Sequence, residues 1–204
     1  MAKHFVSNDP GSVRLFENPL LEALSKTHWT APIWIAVPVL AWMAWNALAT
    51  PSLSWPLLIA LVLAGFLVWT LTEYLLHRFV FHFHARGPWG RRLVFLFHGV
   101  HHDYPQDAKR LVMPPAVTLV LAVIFYALFR LLLGEVWVAP FFFGFAAGYL
   151  NYDLTHYAVH HFPCRGRYYA RLRQYHMRHH YQQPDRGYGV SVTFWDRVFG
   201  TTYD

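Results

Sequence analysis

Ten of the fourteen histidines in this 204-residue chain fall into four short groups. They are His77-Arg-Phe-Val-Phe-His82, His98-Gly-Val-His101-His102, His156-Tyr-Ala-Val-His160 and His176-Met-Arg-His179-His180. Imidazole is a ligand for Fe, Zn, Cu and Ni. Residues three and four apart share a helix face. His98, His101 and His102 are therefore predicted to point into one space, as are His176, His179 and His180, with His156 and His160 paired. His77 and His82 are five apart, about 140° off on a regular helix, so the helix is expected to end or distort between them. One HxxH arises often by chance, but four groups with repeated spacing read as a metal site. Ten ligands are too many for one ion, and two ions would use them. Zinc is usually four-coordinate, so two structural zinc ions would leave ligands over. Two irons with open positions for oxygen fit better, although zinc can take an iron site in purified protein.

The remaining histidines carry less. His4, His28 and His84 lack partners at ligand spacing and read as ordinary residues. His161 directly follows a ligand candidate, faces another way, and is left open. Metal-bound histidine normally donates its second N–H to a carboxylate or carbonyl. Glu73, four residues before His77, and Asp153, three before His156, are candidates for that role. Either is costly in a bilayer unless paired or wetted, and the alternative is an interfacial carboxylate in water. Tyr104, Tyr152 and Tyr157 could line the site, but aromatic residues make up 19% of the chain.

The elements that position these groups follow from where charge is missing. Hydrophobic residues make up 55% of the chain and charged ones 14%, against about 25% charged in ordinary soluble domains. Residues 27–72, 111–129 and 136–152 hold no Asp, Glu, Lys or Arg. A bilayer core of about 30 Å needs roughly 20 apolar helical residues. The pattern predicts an all-α integral-membrane fold with four spans in two hairpins, at 31–48, 55–76, 112–133 and 136–155. Thr50-Pro51-Ser52 and Gly134-Glu135 are the expected turns. A cytosolic helical cap, 77–110 and 156–204, holds the histidine-rich dimetal site, and residues 1–204 form a single domain. A helix from Trp55 to His77 rises roughly 33 Å, so the first and third histidine groups top two spans.

The formal net charge is +6, and the basic residues sort to one side. Lys3, Arg14 and Lys26 precede the first span. Arg78, Arg86, Arg91, Arg92, Lys109 and Arg110 lie between the hairpins. Seven arginines follow the last span, and Arg130 alone sits elsewhere. The positive-inside rule makes that side cytoplasmic, with both termini on it. The charge therefore reports topology and lipid headgroups, and no nucleic-acid motif contests this. About 30 mostly polar residues before the first apolar run argue against a secretory signal. The single cysteine, Cys164, excludes an internal disulfide and a multi-cysteine zinc site.

Together these residues resemble the integral-membrane fatty acid hydroxylase superfamily, which includes sterol desaturases and carotenoid hydroxylases, and within it the fatty acid 2-hydroxylases. The likeness includes His101-His102-Asp103 leading through Asp107-Ala-Lys-Arg-Leu-Val-Met-Pro-Pro115. It includes Tyr152-Asp-Leu-Thr-His-Tyr157, Tyr175-His-Met-Arg-His-His-Tyr181, Gly187-Tyr-Gly-Val-Ser191 and Trp195-Asp196, with weaker likeness over Phe16–Pro38. The resemblance implies a diiron site using O2 to hydroxylate carbon 2 of a fatty acyl chain, free or within a lipid. It implies His77, His82, His98, His101, His102, His156, His160, His176, His179 and His180 as ligands. Eukaryotic members often carry a cytochrome-b5-type domain. No haem fits in this chain, so a separate donor, cytochrome b5-like or ferredoxin-type, is expected to supply electrons. The short chain suggests a bacterial inner-membrane protein. The substrate head would sit near Lys109 and Arg110, unless these are ordinary interfacial cations. Rival readings are carotenoid or sterol hydroxylation, desaturation, or a non-enzymatic metal protein. Oligomeric state is not legible.

Overall fold

The computed structural model describes residues 5–203; Lys3 and His4 lie outside the described residues. The described residues are helical with connecting loops: α1 Pro19–Leu24, α2 Ala31–Leu48, α3 Trp55–Leu75, α4 Pro88–Val94, α5 Val100–Asp103, α6 Pro115–His161, α7 Arg167–Tyr181 and α8 Phe194–Val198. Five of these (α1, α2, α3, α4 and α6) carry proline at the first or second helical position. There its fixed φ suits the helix and its missing N–H would be unpaired anyway.

Three helices are long and apolar enough to cross a membrane: Ala31–Leu48, Trp55–Phe81 (α3 with its continuation) and Pro115–His161. The first has the expected bounds. The second runs past 76 as a π-helical turn, Leu76–Phe81. The third is one element of 47 residues where two were expected at 112–133 and 136–155. It starts three residues later than expected, and its C-terminal end extends through the third histidine group. Gly134, at φ 76° and ψ 176°, breaks it at the expected turn. That φ lies in the left-handed region, where glycine meets no Cβ penalty. The two arms face each other. Phe129 meets Phe141, Tyr126 meets Phe142 and Phe125 meets Phe145, with ring centroids 4.8, 5.3 and 5.0 Å apart.

The second arm packs on α3 at very short range. A Cβ on Gly65 would lie 1.9 Å from the Phe141 carbonyl oxygen, and one on Gly144 the same distance from that of Val62. Two glycines thus let backbones touch, a packing mode common between helices in lipid. The outer surface is apolar: Trp34 is 77% exposed, Trp45 75% and Leu131 84%. Contiguous exposed apolar area on this scale suits lipid rather than water. The four histidine groups occupy the π-helical continuation of α3 with the residue after it, α5 with the residues leading into it, the end of α6, and α7, so one end of the bundle carries them all.

Candidate metal centre

The structure brings the ten histidines together and sorts them into two sets of five. His77, His82, His98, His102 and His179 form one, and His101, His156, His160, His176 and His180 the other. Within each set the nearest ring nitrogens all lie within 4.8 Å of one another. This corrects the grouping read from spacing. His101 parts from His98 and His102, and His179 parts from His176 and His180. On a helix, residue i+4 lies about 40° from i and residue i+3 about 60° the other way. A helix between two centres can therefore aim its i, i+4 pair at one and its i+3 residue at the other. The sets adjoin, with the His102 and His180 rings stacked at 4.2 Å.

The five-residue interval is accommodated by the π-helical turn. His82 donates its backbone N–H to the His77 carbonyl at 3.2 Å, an i→i+5 bond. The wider turn brings the two rings to 5.0 Å. A second π-helical turn, Phe95–Gly99, carries His98. Such turns are frequent at functional sites.

The donor chemistry fits cations. His77 Nδ1 faces the Tyr188 carbonyl, and His179 Nδ1 lies 2.7 Å from that of Arg186. A carbonyl only accepts, so both Nδ1 atoms carry hydrogen, and in the neutral ring Nε2 is then a lone pair. His77 Nε2 nevertheless sits 3.0 Å from His98 Nε2, which is also 3.0 Å from His102 Nε2. His179 Nε2 lies 3.1 and 3.2 Å from those of His82 and His102. In the other set, His101–His156, His160–His176 and His176–His180 pair through Nε2 at 3.0, 2.9 and 3.0 Å. In the first set four such contacts share at most three hydrogens, because His77 and His179 carry theirs on Nδ1. Two nitrogens at right angles about a metal ~2.1 Å away sit roughly 3.0 Å apart. Burial, and then the neighbouring imidazoles, hold His98, His101 and His180 well below their usual pKa. The same causes act on His176 and His179. These rings are neutral at pH 7, and each set could hold a metal ion.

Glu73 and Asp153 are buried beside the site, but their hydrogen bonds go elsewhere. Glu73 Oε1 accepts the backbone N–H groups of Val190 and Ser191 at 2.8 and 2.9 Å, and Oε2 accepts the Ser191 hydroxyl. Glu73 thus grips the loop whose Tyr188 carbonyl meets His77, and acts one step further out than a direct ring partner. Asp196, missed from sequence, completes the grip by accepting from Tyr188 N and Gly189 N, each at 2.9 Å. Four consecutive N–H groups are held by two carboxylates. Burial pushes the Asp196 carboxyl up, against these donors and Thr201. Asp153 accepts from the Tyr149 hydroxyl at 3.0 Å. A histidine's carbonyl partner has no side-chain signature, although Gly187–Ser191 and Asp196 lay within the motifs of the resemblance.

Lys109 and Arg110 do not form an open head-group site. Arg110 is buried and fully engaged. It donates to Glu22 Oε1 at 2.6 Å, to the Val13 carbonyl and to Ser25 Oγ, and lies 3.4 Å from Asp107. It fastens the segment carrying α1 onto the cap. Lys109 is exposed, and it is absent from the cavity wall described next. His161 belongs to neither set; its ring lies 4.6 Å from that of Tyr157.

A cavity of about 340 Å³ reaches both histidine sets, through His98 of one and through His101 and His156 of the other. Its remaining wall is mostly apolar, from the α1 segment, α4 and Leu111–Val117, with Tyr152 and Asp153 beside His156.

A family model described as fatty acid hydroxylase matches residues 62–201. The chain belongs to the fatty acid hydroxylase family. Among curated fatty acid hydroxylase relatives, it is 39% identical to the dihydroceramide fatty acyl 2-hydroxylase of Arabidopsis thaliana over 92% of this chain and 79% of that one. It is 36% identical to the fatty acid 2-hydroxylase of Rattus norvegicus over 93% of this chain and 56% of that one. A solved structure of scs7p, in which only the hydroxylase domain is visible, superposes with a TM-score of 0.87. It shares 38% identity over 95% of this chain and 73% of that one.

Proposed function

We propose that this fatty acid hydroxylase adds a hydroxyl to carbon 2 of an acyl chain held in an uncharged lipid, an amide above all. The carrying observation is the apolar cavity that touches both histidine sets. A store or carrier of metal has no use for an apolar cavity at its ions. Among the described residues, the cavity wall also lacks a free cation. Arg110 is its basic side chain apart from the histidines, and that guanidinium is committed to Glu22 and Val13. A free carboxylate or a thioester bearing phosphates would find no free side-chain cation there, whereas a neutral amide needs none. The names of the Arabidopsis and rat relatives support 2-hydroxylation of acyl groups.

The ten histidines would hold two irons, which zinc can replace in purified protein. When bound, the irons supply reductive activation of O2 and oxidation of the C2–H bond. The chain does the rest. Apolar walls hold the acyl tail and exclude water from the reacting carbon. Tyr188 and Arg186 carbonyls fix two ring orientations through Nδ1. Electrons come from a separate cytochrome b5-like or ferredoxin-type donor. Four spans are supported by the break at Gly134, which divides the long third helix into two facing arms. Both termini are then cytoplasmic, in a bacterial inner membrane.

The test is a reconstituted assay with ferrous iron, O2, a reductant and matched ceramide and free-acid substrates. The reading expects 2-hydroxy product from the ceramide, dependent on reductant. Product from the free acid alone would overturn the neutral-head assignment. Turnover without reductant would overturn the oxygenase reading.

A further inference from the structure

A second, smaller cavity lies deeper in the bundle, between α3 and the two arms of α6. It shares Phe81, Met113 and Tyr152 with the cavity that reaches the histidines. Three common wall residues make the two spaces consecutive. The deeper one is almost wholly apolar. Among its few polar groups, Tyr149 bonds Asp153 and Thr118, both at 3.0 Å, and Glu73 bonds the 190–191 loop, while Trp69 Nε1 is buried without a hydrogen-bond partner among the described residues. It runs from Tyr152 toward Phe142, ten residues down one arm, or about 15 Å. At the far end Phe125, Phe142 and Phe145 pack together, with Phe125–Phe145 at 5.0 Å and Phe142–Phe145 at 6.0 Å. Ala122 and Ala146, one from each arm, line the space next to them.

We infer that this inner chamber receives the terminal methylenes of the acyl chain and sets its length. The inference rests on the hydroxylase reading, because carbon 2 must lie at the histidine sets for the tail to extend past Tyr152. Phe81, Met113 and Tyr152 form the neck. The three phenylalanines form the floor. Ala122 and Ala146 determine the usable depth, because each leaves open a volume that a larger side chain would fill. The occupant is an acyl tail rather than a polar ligand, since the walls offer carbon and little else. Burial of a methylene is worth about 0.8 kcal/mol, so each one the chamber refuses lowers preference roughly fourfold.

The experiment feeds cells expressing the full chain an equimolar mixture of acyl lengths and measures the 2-hydroxy acids by mass spectrometry. Ala146→Phe is expected to shift the products toward shorter chains, roughly fourfold per excluded methylene. Phe142→Ala is expected to shift them toward longer ones. Ala122→Phe makes the same test from the opposite arm should Ala146→Phe fail to accumulate. An unchanged length distribution at retained total yield in the accumulating variants would overturn the chamber assignment and leave the hydroxylase reading standing. No 2-hydroxy acid from the unmodified chain would overturn the hydroxylase reading itself, and the inference with it.

Discussion

Glu73 on α3 and His77 in its π-helical continuation stand four residues apart and meet through a loop rather than directly. The carboxylate holds the backbone N–H groups of Val190 and Ser191, and the loop returns the Tyr188 carbonyl to His77 Nδ1. Glu73→Gln keeps one acceptor but turns an NH2 toward donors. We expect about 1–3 kcal/mol less stability and about 10–100-fold weaker metal binding. Thermal unfolding in detergent and metal analysis across a chelator series check both. Unchanged metal affinity would show that the loop does not orient His77.

The π-helical turn between His77 and His82 makes a geometric prediction. Inserting one alanine after Phe79 lengthens the interval to six residues, which points His82 to another face in either an α- or a π-helical turn and swings it off its set. Metal content should fall, with activity reduced at least about 100-fold, beyond the range seen for residues behind the ligands. An insertion variant that keeps full metal content would refute the role of the turn.

Much of this site was legible because ligand chemistry needs particular residue types at helical intervals. The four histidine groups, and a distortion between His77 and His82, follow from spacing alone. The division into two sets does not, because i+3 and i+4 neighbours fit one centre or two until the flanking helices are placed. Arg110 hides its commitment to a buried network for a similar reason. Its partners Glu22 and Val13 lie 88 and 97 residues away in sequence, and nothing local betrays a buried pair. The break at Gly134 was visible in the charge pattern, whereas the continuation of α6 through His161 was not, since apolar runs end before helices do.

Arg110→Ala should act on the fold rather than on substrate choice. It removes one partner of a buried network, leaving Asp107 without its cation and Glu22 with Lys26 alone. The expected cost is about 3–5 kcal/mol, seen as a lower melting temperature. The relative rates on different lipid heads should not change. A changed head-group preference at unchanged stability would return Arg110 to the substrate.

Acid should loosen the metal-free protein. Burial holds His98, His101, His176, His179 and His180 well below their usual value of 6.5. As pH falls past 6.5 the unfolded chain takes up protons that the folded one refuses. Stability is therefore greatest above 6.5 and declines progressively below it. Melting temperatures of chelator-treated protein from about pH 8 to about pH 5.5 should fall, most steeply below 6.5. A flat profile would mean that these rings are not buried as neutral groups.

The central claim is that the two histidine sets hydroxylate carbon 2 of an acyl lipid. The most direct measurement is the lipid profile of a host lacking 2-hydroxy fatty acids. The host would express the chain together with a cytochrome b5-type donor, beside a His179→Ala control. Total lipids would be hydrolysed and the position of each new hydroxyl fixed by mass spectrometry. The account predicts 2-hydroxy acids from the unmodified chain and none from the control. Hydroxylation at another carbon, or equal product from both chains, would contradict it.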